Sequence, residues 1–209
     1  DEFTARLGEL CIDDLIGVDA EVEPGGPLAR PFTVTDASAG DLTVGNRFCA
    51  LPMEGWDGTT DGAPTDLVAR RWRRFGESGA KLIWGGEAVA VHPDGRANPH
   101  QLISSDVTTE ALAGLRTGLV DAHAEAHGPT DDLVIGLQLT HSGRWSRPDG
   151  DPLPQSAHTH AELDRRLGIG GAEVLSDDQL DELVEHFVVA AERAHQAGFA
   201  FVDVKHCHG

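Results

Sequence analysis

Phe199-Ala200-Phe201-Val202-Asp203-Val204-Lys205-His206-Cys207-His208-Gly209 is the stretch on which the fold turns. Its first part is a short apolar run rich in aromatic and β-branched residues, which reads as a strand. It leads directly into Lys-His-Cys-His, four consecutive residues able to bind protons, metals or anions. A buried parallel strand is nearly all apolar, so polar groups clustered at its carboxyl end stand where open α/β sheets and barrels keep their ligands. The chemistry is therefore expected at strand ends. No domain of this kind closes on such a strand, so the sequence is expected to be the N-terminal part of a longer polypeptide.

Working back from this strand, a capping box at Ser176-Asp177-Asp178-Gln179 opens a helix that carries Leu180, Leu183, Val184, Phe187, Val188, Ala191 and Ala194 along one stripe. Before it come a strand over Leu133 to Leu139, a helix over Thr109 to Ala124 and a strand beginning at Lys81 to Trp84. A helix over Thr65 to Phe75 and a strand over Arg47 to Met53 precede these. Phe32-Thr33-Val34 and Leu42-Thr43-Val44 read as a short hairpin. Residues 1–31 are acidic, end in Pro-Gly-Gly-Pro and Arg-Pro, and read as an extended arm outside the domain of residues 32–209.

Strand and helix alternating in this order imply parallel pairing with right-handed crossovers. A doubly wound dinucleotide fold would place GxGxxG after the first strand, where the sequence instead runs Glu54-Gly55-Trp56-Asp57-Gly58-Thr59. A (β/α)8 TIM barrel needs no such motif, and the reading favours the first four β/α units of one. The long stretch from Thr140 to Leu175 then lies on the catalytic rim and should help to cover the site.

Composition narrows the partners. With 35 acidic against 16 basic residues and a net charge of −19, the chain should repel nucleic acid and anionic membrane surfaces. Only two of the basic residues, Lys81 and Lys205, are lysines. Three widely spaced cysteines, at 11, 49 and 207, make no disulfide framework or structural zinc site, which suits a reducing cytoplasm.

Four strand ends carry the candidates: Leu51-Pro52-Met53-Glu54, Gly85-Gly86-Glu87-Ala88, Gln138 through Arg144, and Lys205 through Gly209. Gln138 is the most telling, because an amide inside an apolar run must find hydrogen-bond partners or cost about 1–3 kcal/mol. A planar heteroaromatic ligand or a neighbouring strand end would each serve.

Together, Asn46 through Met53, Gly85 through Val91, Gly136 through Arg144 and Ala197 through Gly209 resemble the successive strand motifs of the Old Yellow Enzyme family. These are FMN-dependent TIM-barrel oxidoreductases whose branches include the dienoyl-CoA reductases and trimethylamine dehydrogenase. The resemblance covers residues 32–209 and implies hydride transfer from NAD(P)H through flavin to an activated alkene or related small-molecule substrate. It places Pro52 and Met53 along the flavin, Ala88 near the ring, Gln138 on its pyrimidine edge and Trp56 in the substrate pocket. His141 and Arg144 would fix the rim, and Lys205 and His208 would bind the substrate's oxygen. Lys205 replaces the family's usual His, and the chain contains no Tyr, so the usual proton donor would fall just after Gly209. The flavin phosphate site and any iron–sulfur cluster would belong to the C-terminal half of the barrel, the chain's expected partner together with a second copy in a homo-oligomer.

Three other readings stay open. Lys205 could be paired with a carboxylate such as Glu54 or Glu87 and serve structure alone. A metal-dependent hydrolase on the same barrel would use His206, His208 and His141 as ligands, whereas the flavin reading needs no metal. A non-catalytic half barrel would act as an assembly module.

Overall fold

Alternate residues of a strand face opposite ways, so each strand here has to satisfy two environments. The computed structural model describes residues 2–15, 23–35, 40–169 and 173–206. A helix α1 (Glu2–Glu9) is followed by an antiparallel hairpin, β1 (Phe32–Val34) with β2 (Leu42–Val44), and then by strand β3 (Cys49–Ala50). Next come α2 (Asp66–Glu77), β4 (Leu82–Ile83), β5 (Ala88–Ala90), α3 (Thr109–His127) and β6 (Val134–Thr140). The rim segment holds β7 (Gln155–Ser156), α4 (Ala161–Leu167) and β8 (Glu173–Val174), and the described chain ends with α5 (Asp177–Gln196) and β9 (Phe201–Val204).

β3, β4, β5, β6 and β9 form one parallel sheet. β6 is its centre: β4 and β5 pair end to end along one edge, and β9 pairs along the other. β4 and β5 are thus two halves of one broken strand, and the sheet runs in chain order, as in a barrel and unlike a doubly wound sheet with its reversal. Ala50, Ile83, Val89, Ile135, Leu137, Leu139 and Val202 face one side, where Val68 and Trp72 of α2, Leu112, Leu115 and Leu119 of α3, and Ala190 and Ala194 of α5 complete a single core. All three long helices therefore cover the same face.

The differences from the sequence reading have identifiable causes. The acidic arm is not extended throughout: Phe3, Leu7 and Leu10 recur at helical spacing, and Leu7 is buried. The first strand is shorter than Arg47 to Met53 because Pro52 has no N–H to donate, although Met53 still accepts from the Ala88 N–H at 3.2 Å. The second strand breaks at Gly85 and Gly86, with φ of +133° and +46°. A Cβ on Gly85 would sit 2.7 Å from the Gln138 nitrogen, and one on Gly86 would sit 3.0 Å from the Trp72 indole. The capping box forms as expected, Ser176 accepting from the Gln179 N–H and the Gln179 side chain from the Ser176 N–H. The expected hairpin turn at residues 36–39 lies outside the described residues.

On the rim, Arg144 is buried in an ion pair with Asp164 of α4 and donates to the His158 carbonyl at 2.6 Å, tying the long connection to the end of β6. His141, at the same strand end, accepts from the Gly143 N–H through Nδ1. Burial first, then the His92 and His186 rings, push its pKa down to about 4.

Two outcomes are expected. Gly76 of α2 faces the Leu119 carbonyl of α3, with the His123 nitrogen 3.1 Å from where a Cβ would stand. Gly76→Ala should lose about 1–3 kcal/mol in a denaturant titration through overpacking, outweighing the roughly 1 kcal/mol that Ala gains in helix propensity. For His141, the folded state binds its proton less readily than the unfolded chain, so stability falls as pH drops through the window from about 6.5 to about 4. His141→Asn, which keeps an acceptor for Gly143, should lose about 2 kcal/mol less than the wild type between pH 7.5 and 4.5 in paired unfolding curves.

Candidate active site at the strand ends

Opposite the helices, the other face of the sheet carries a different set of side chains. The register puts Cys49 beside Leu82, Gly136 beside Phe201, and Ala88, Gln138 and Asp203 in one row across three strands. Phe201 lies over Gly136, whose absent Cβ leaves room for the ring, and packs against Trp84 with centroids 5.1 Å apart. These aromatic rings form an apolar floor. The Ala88–Gln138–Asp203 row lies one step nearer the carboxyl ends, and Met53 joins it through its carbonyl, paired to Ala88.

Gln138 Nε2 donates to Asp203 Oδ2 at 2.7 Å, the neighbouring-strand partner foreseen as one of two. A carboxylate only accepts, so the amide has to turn its NH2 toward Asp203 and offer Oε1 to the open face. Asp203 was missed as a site residue in the sequence. The signal was available: like Gln138, it is a polar residue at an inward position of an apolar strand.

Lys205 continues the inward alternation of β9. Its Nζ lies 3.4 Å from Glu54 Oε2, and the two side chains are only 17% and 21% exposed. Of the two carboxylates considered for Lys205, Glu87 is engaged elsewhere. It is fully buried, accepts from Arg71 of α2 at 2.5 Å and from the Gly55 N–H at 2.7 Å, while Arg71 also holds Asp57 at 2.5 Å. Burial pushes the Glu87 carboxyl up, and the Arg71 guanidinium opposes that push. This network clamps the loop after β3 on both sides of Trp56.

The sequence-derived candidates thus divide. Pro52, Met53, Ala88, Gln138 and Lys205 lie along one carboxyl-terminal edge of the sheet. Trp56 stands apart, 69% exposed, beside a shallow cavity of about 310 Å³ that Met53, Glu54 and Arg71 also line. His208 and Cys207 lie outside the described residues. Among the described residues, no three of His, Cys, Asp and Glu converge on a metal site.

The chain matches the family model described as NADH:flavin oxidoreductase / NADH oxidase over residues 28–209. It is 28% identical over 190 residues to an NADPH dehydrogenase of Bacillus velezensis, covering 87% of this chain and 48% of that protein. It is 30% identical over 172 residues to an NADPH dehydrogenase of Halalkalibacterium halodurans, covering 80% and 46%. The fold superposes on an old yellow enzyme homologue from Zymomonas mobilis with a TM-score of 0.62 at 24% identity, over 86% of this chain and 48% of that one. Morphinone reductase superposes with a TM-score of 0.59 at 28% identity, over 85% and 47%. The chain spans about half the length of the relatives it matches, and its α/β architecture is that of a partial barrel. With the model match running from the hairpin through β9, the chain belongs to the NADH:flavin oxidoreductase / NADH oxidase family.

Proposed function

We propose that the protein to which this chain belongs is an FMN-dependent oxidoreductase that passes hydride from NAD(P)H to an activated alkene. The observation that carries this reading is the row Ala88–Gln138–Asp203 beside Met53, with Lys205 one step above it. The Gln138 amide, fixed by Asp203, presents an acceptor to a ring N–H at the carboxyl end of the sheet. These residues fit the pyrimidine side of a flavin. When bound, flavin supplies the two-electron chemistry that no side chain here can perform.

In this proposal Met53 and Ala88 bear on the ring, Pro52 shapes the approach, and Gln138 fixes its orientation. Lys205 and His208 donate to the substrate oxygen and stabilise the negative charge that grows there as hydride arrives. Trp56, exposed beside the cavity that Met53 and Glu54 also line, would line the substrate pocket. The relatives' names favour NADPH, and one related structure is morphinone reductase in complex with tetrahydroNAD; the nicotinamide is therefore assigned as NAD(P)H.

The remaining barrel strands would close the open sheet edges, supply the phosphate site and, in a homo-oligomer, the subunit contact. Any iron–sulfur cluster is likewise assigned to the C-terminal half of the barrel. A cytoplasmic location suits Cys11 and Cys49, both free, and among the described residues no helix is long and apolar enough to cross a membrane.

The full-length protein should bind FMN and show an oxidised-flavin spectrum that NAD(P)H bleaches without air; a colourless protein would defeat the proposal. Gln138→Leu removes the oriented acceptor and should weaken FMN binding by about 1–3 kcal/mol in a fluorescence titration. Lys205→Met should slow reoxidation by an enone at least tenfold more than reduction by NAD(P)H, an extra barrier of about 1.4 kcal/mol confined to the oxidative half-reaction. Stopped-flow traces of the two half-reactions make that comparison, and equal losses in both would argue for a structural lysine.

A further inference from the structure

We infer that Glu54 is a positioning residue that holds the Lys205 ammonium across the mouth of the sheet and biases the site toward neutral oxygen acceptors over anions. This rests on the functional reading above and specifies its substrate class. Glu54 follows β3 and Lys205 follows β9, strands at opposite edges of the sheet, and 151 positions separate the two residues in sequence. The pair is therefore a chord over the row of Ala88, Gln138 and Asp203, rather than a contact between neighbouring strand ends.

The chemistry of the two groups explains the bias. An ammonium carries three donors. With one turned to Glu54, two remain for a ligand oxygen, so a carbonyl can be bound without breaking the pair. Seen from a ligand, however, the charge of Lys205 is already matched by Glu54. Asp203 adds a second carboxylate on the same face, and its one described partner there is the neutral Gln138 amide. Arg71, which lines the same cavity as Glu54, is spent on Glu87 and Asp57. Among the described residues, an incoming anion thus meets the carboxylates of Glu54 and Asp203 and the one ammonium of Lys205, whereas a neutral carbonyl meets free N–H donors. Lys205 taken alone suggests an anionic ligand; paired with Glu54 it suggests an uncharged oxygen acceptor.

The test uses full-length, FMN-loaded protein and two probes, nitrophenolate as the anion and cyclohexenone as the neutral acceptor. Glu54→Gln should tighten nitrophenolate about tenfold while moving the cyclohexenone KM less than about threefold, and Glu54→Asp should restore the wild-type preference. In protein labelled with ¹⁵N-lysine, the side-chain resonance that disappears in Lys205→Met should shift in Glu54→Gln, and the Lys81 resonance should not. That measurement needs no flavin, so it tests the pair even if the wild type holds no FMN and the functional reading fails. An unmoved Lys205 resonance, or equal changes in affinity for both probes, would overturn the inference.

Discussion

β6 hydrogen-bonds along both of its edges, and its residues alternate between a dry face and an open one. Ile135, Leu137 and Leu139 are locked into the core under three helices, which leaves Gly136 and Gln138 no choice of side. A slip of one residue would drive the amide into the core and expose the leucines. Because β4, β5 and β9 take their register from β6, the same constraint decides that Ala88, Asp203 and Lys205 line the face where Gln138 stands. The positions of the site residues are in this sense by-products of core packing.

Charge secures what packing leaves free. The loop after β3 has little strand pairing of its own, yet it carries Glu54, and its backbone is held by a fully buried Glu87. A buried carboxylate stripped of its partner costs about 3–5 kcal/mol, so Arg71, Glu87 and Asp57 form a network in which the loss of one strands the others. α2 supplies the arginine. The helix that covers the back of the sheet therefore also anchors the loop at its front.

Much of this architecture is legible in the sequence because it rests on periodicity. The capping box at Ser176 and Gln179, the stripe of α5 and the largely apolar run of β6 each carry a strong local signal, and the structure has all three. The breaks are harder to read. Gly85 and Gly86 divide a strand because of what lies against them, the Gln138 backbone and the Trp72 ring, and neither neighbour is local. Helix α1 was hidden by its acidic composition, although Phe3, Leu7 and Leu10 have the right spacing. Within the site, Gln138 stands out as an amide among aliphatics. Its pairing with Asp203, and that of Lys205 with Glu54, depend on which strands come to lie side by side, and no single strand reveals that.

Phe201 lying on Gly136 couples two distant positions sterically. No side chain fits at 136 while the ring remains, and removing the ring would open the apolar floor down to the end of the sheet. Variation at these two sites is therefore not independent: a larger residue in the third barrel strand requires a smaller one in the fourth, and a lineage can cross between the two arrangements only through a strained or hollow intermediate. The depth of the apolar floor is thus insulated from single substitutions, while the polar row above it stays free to change.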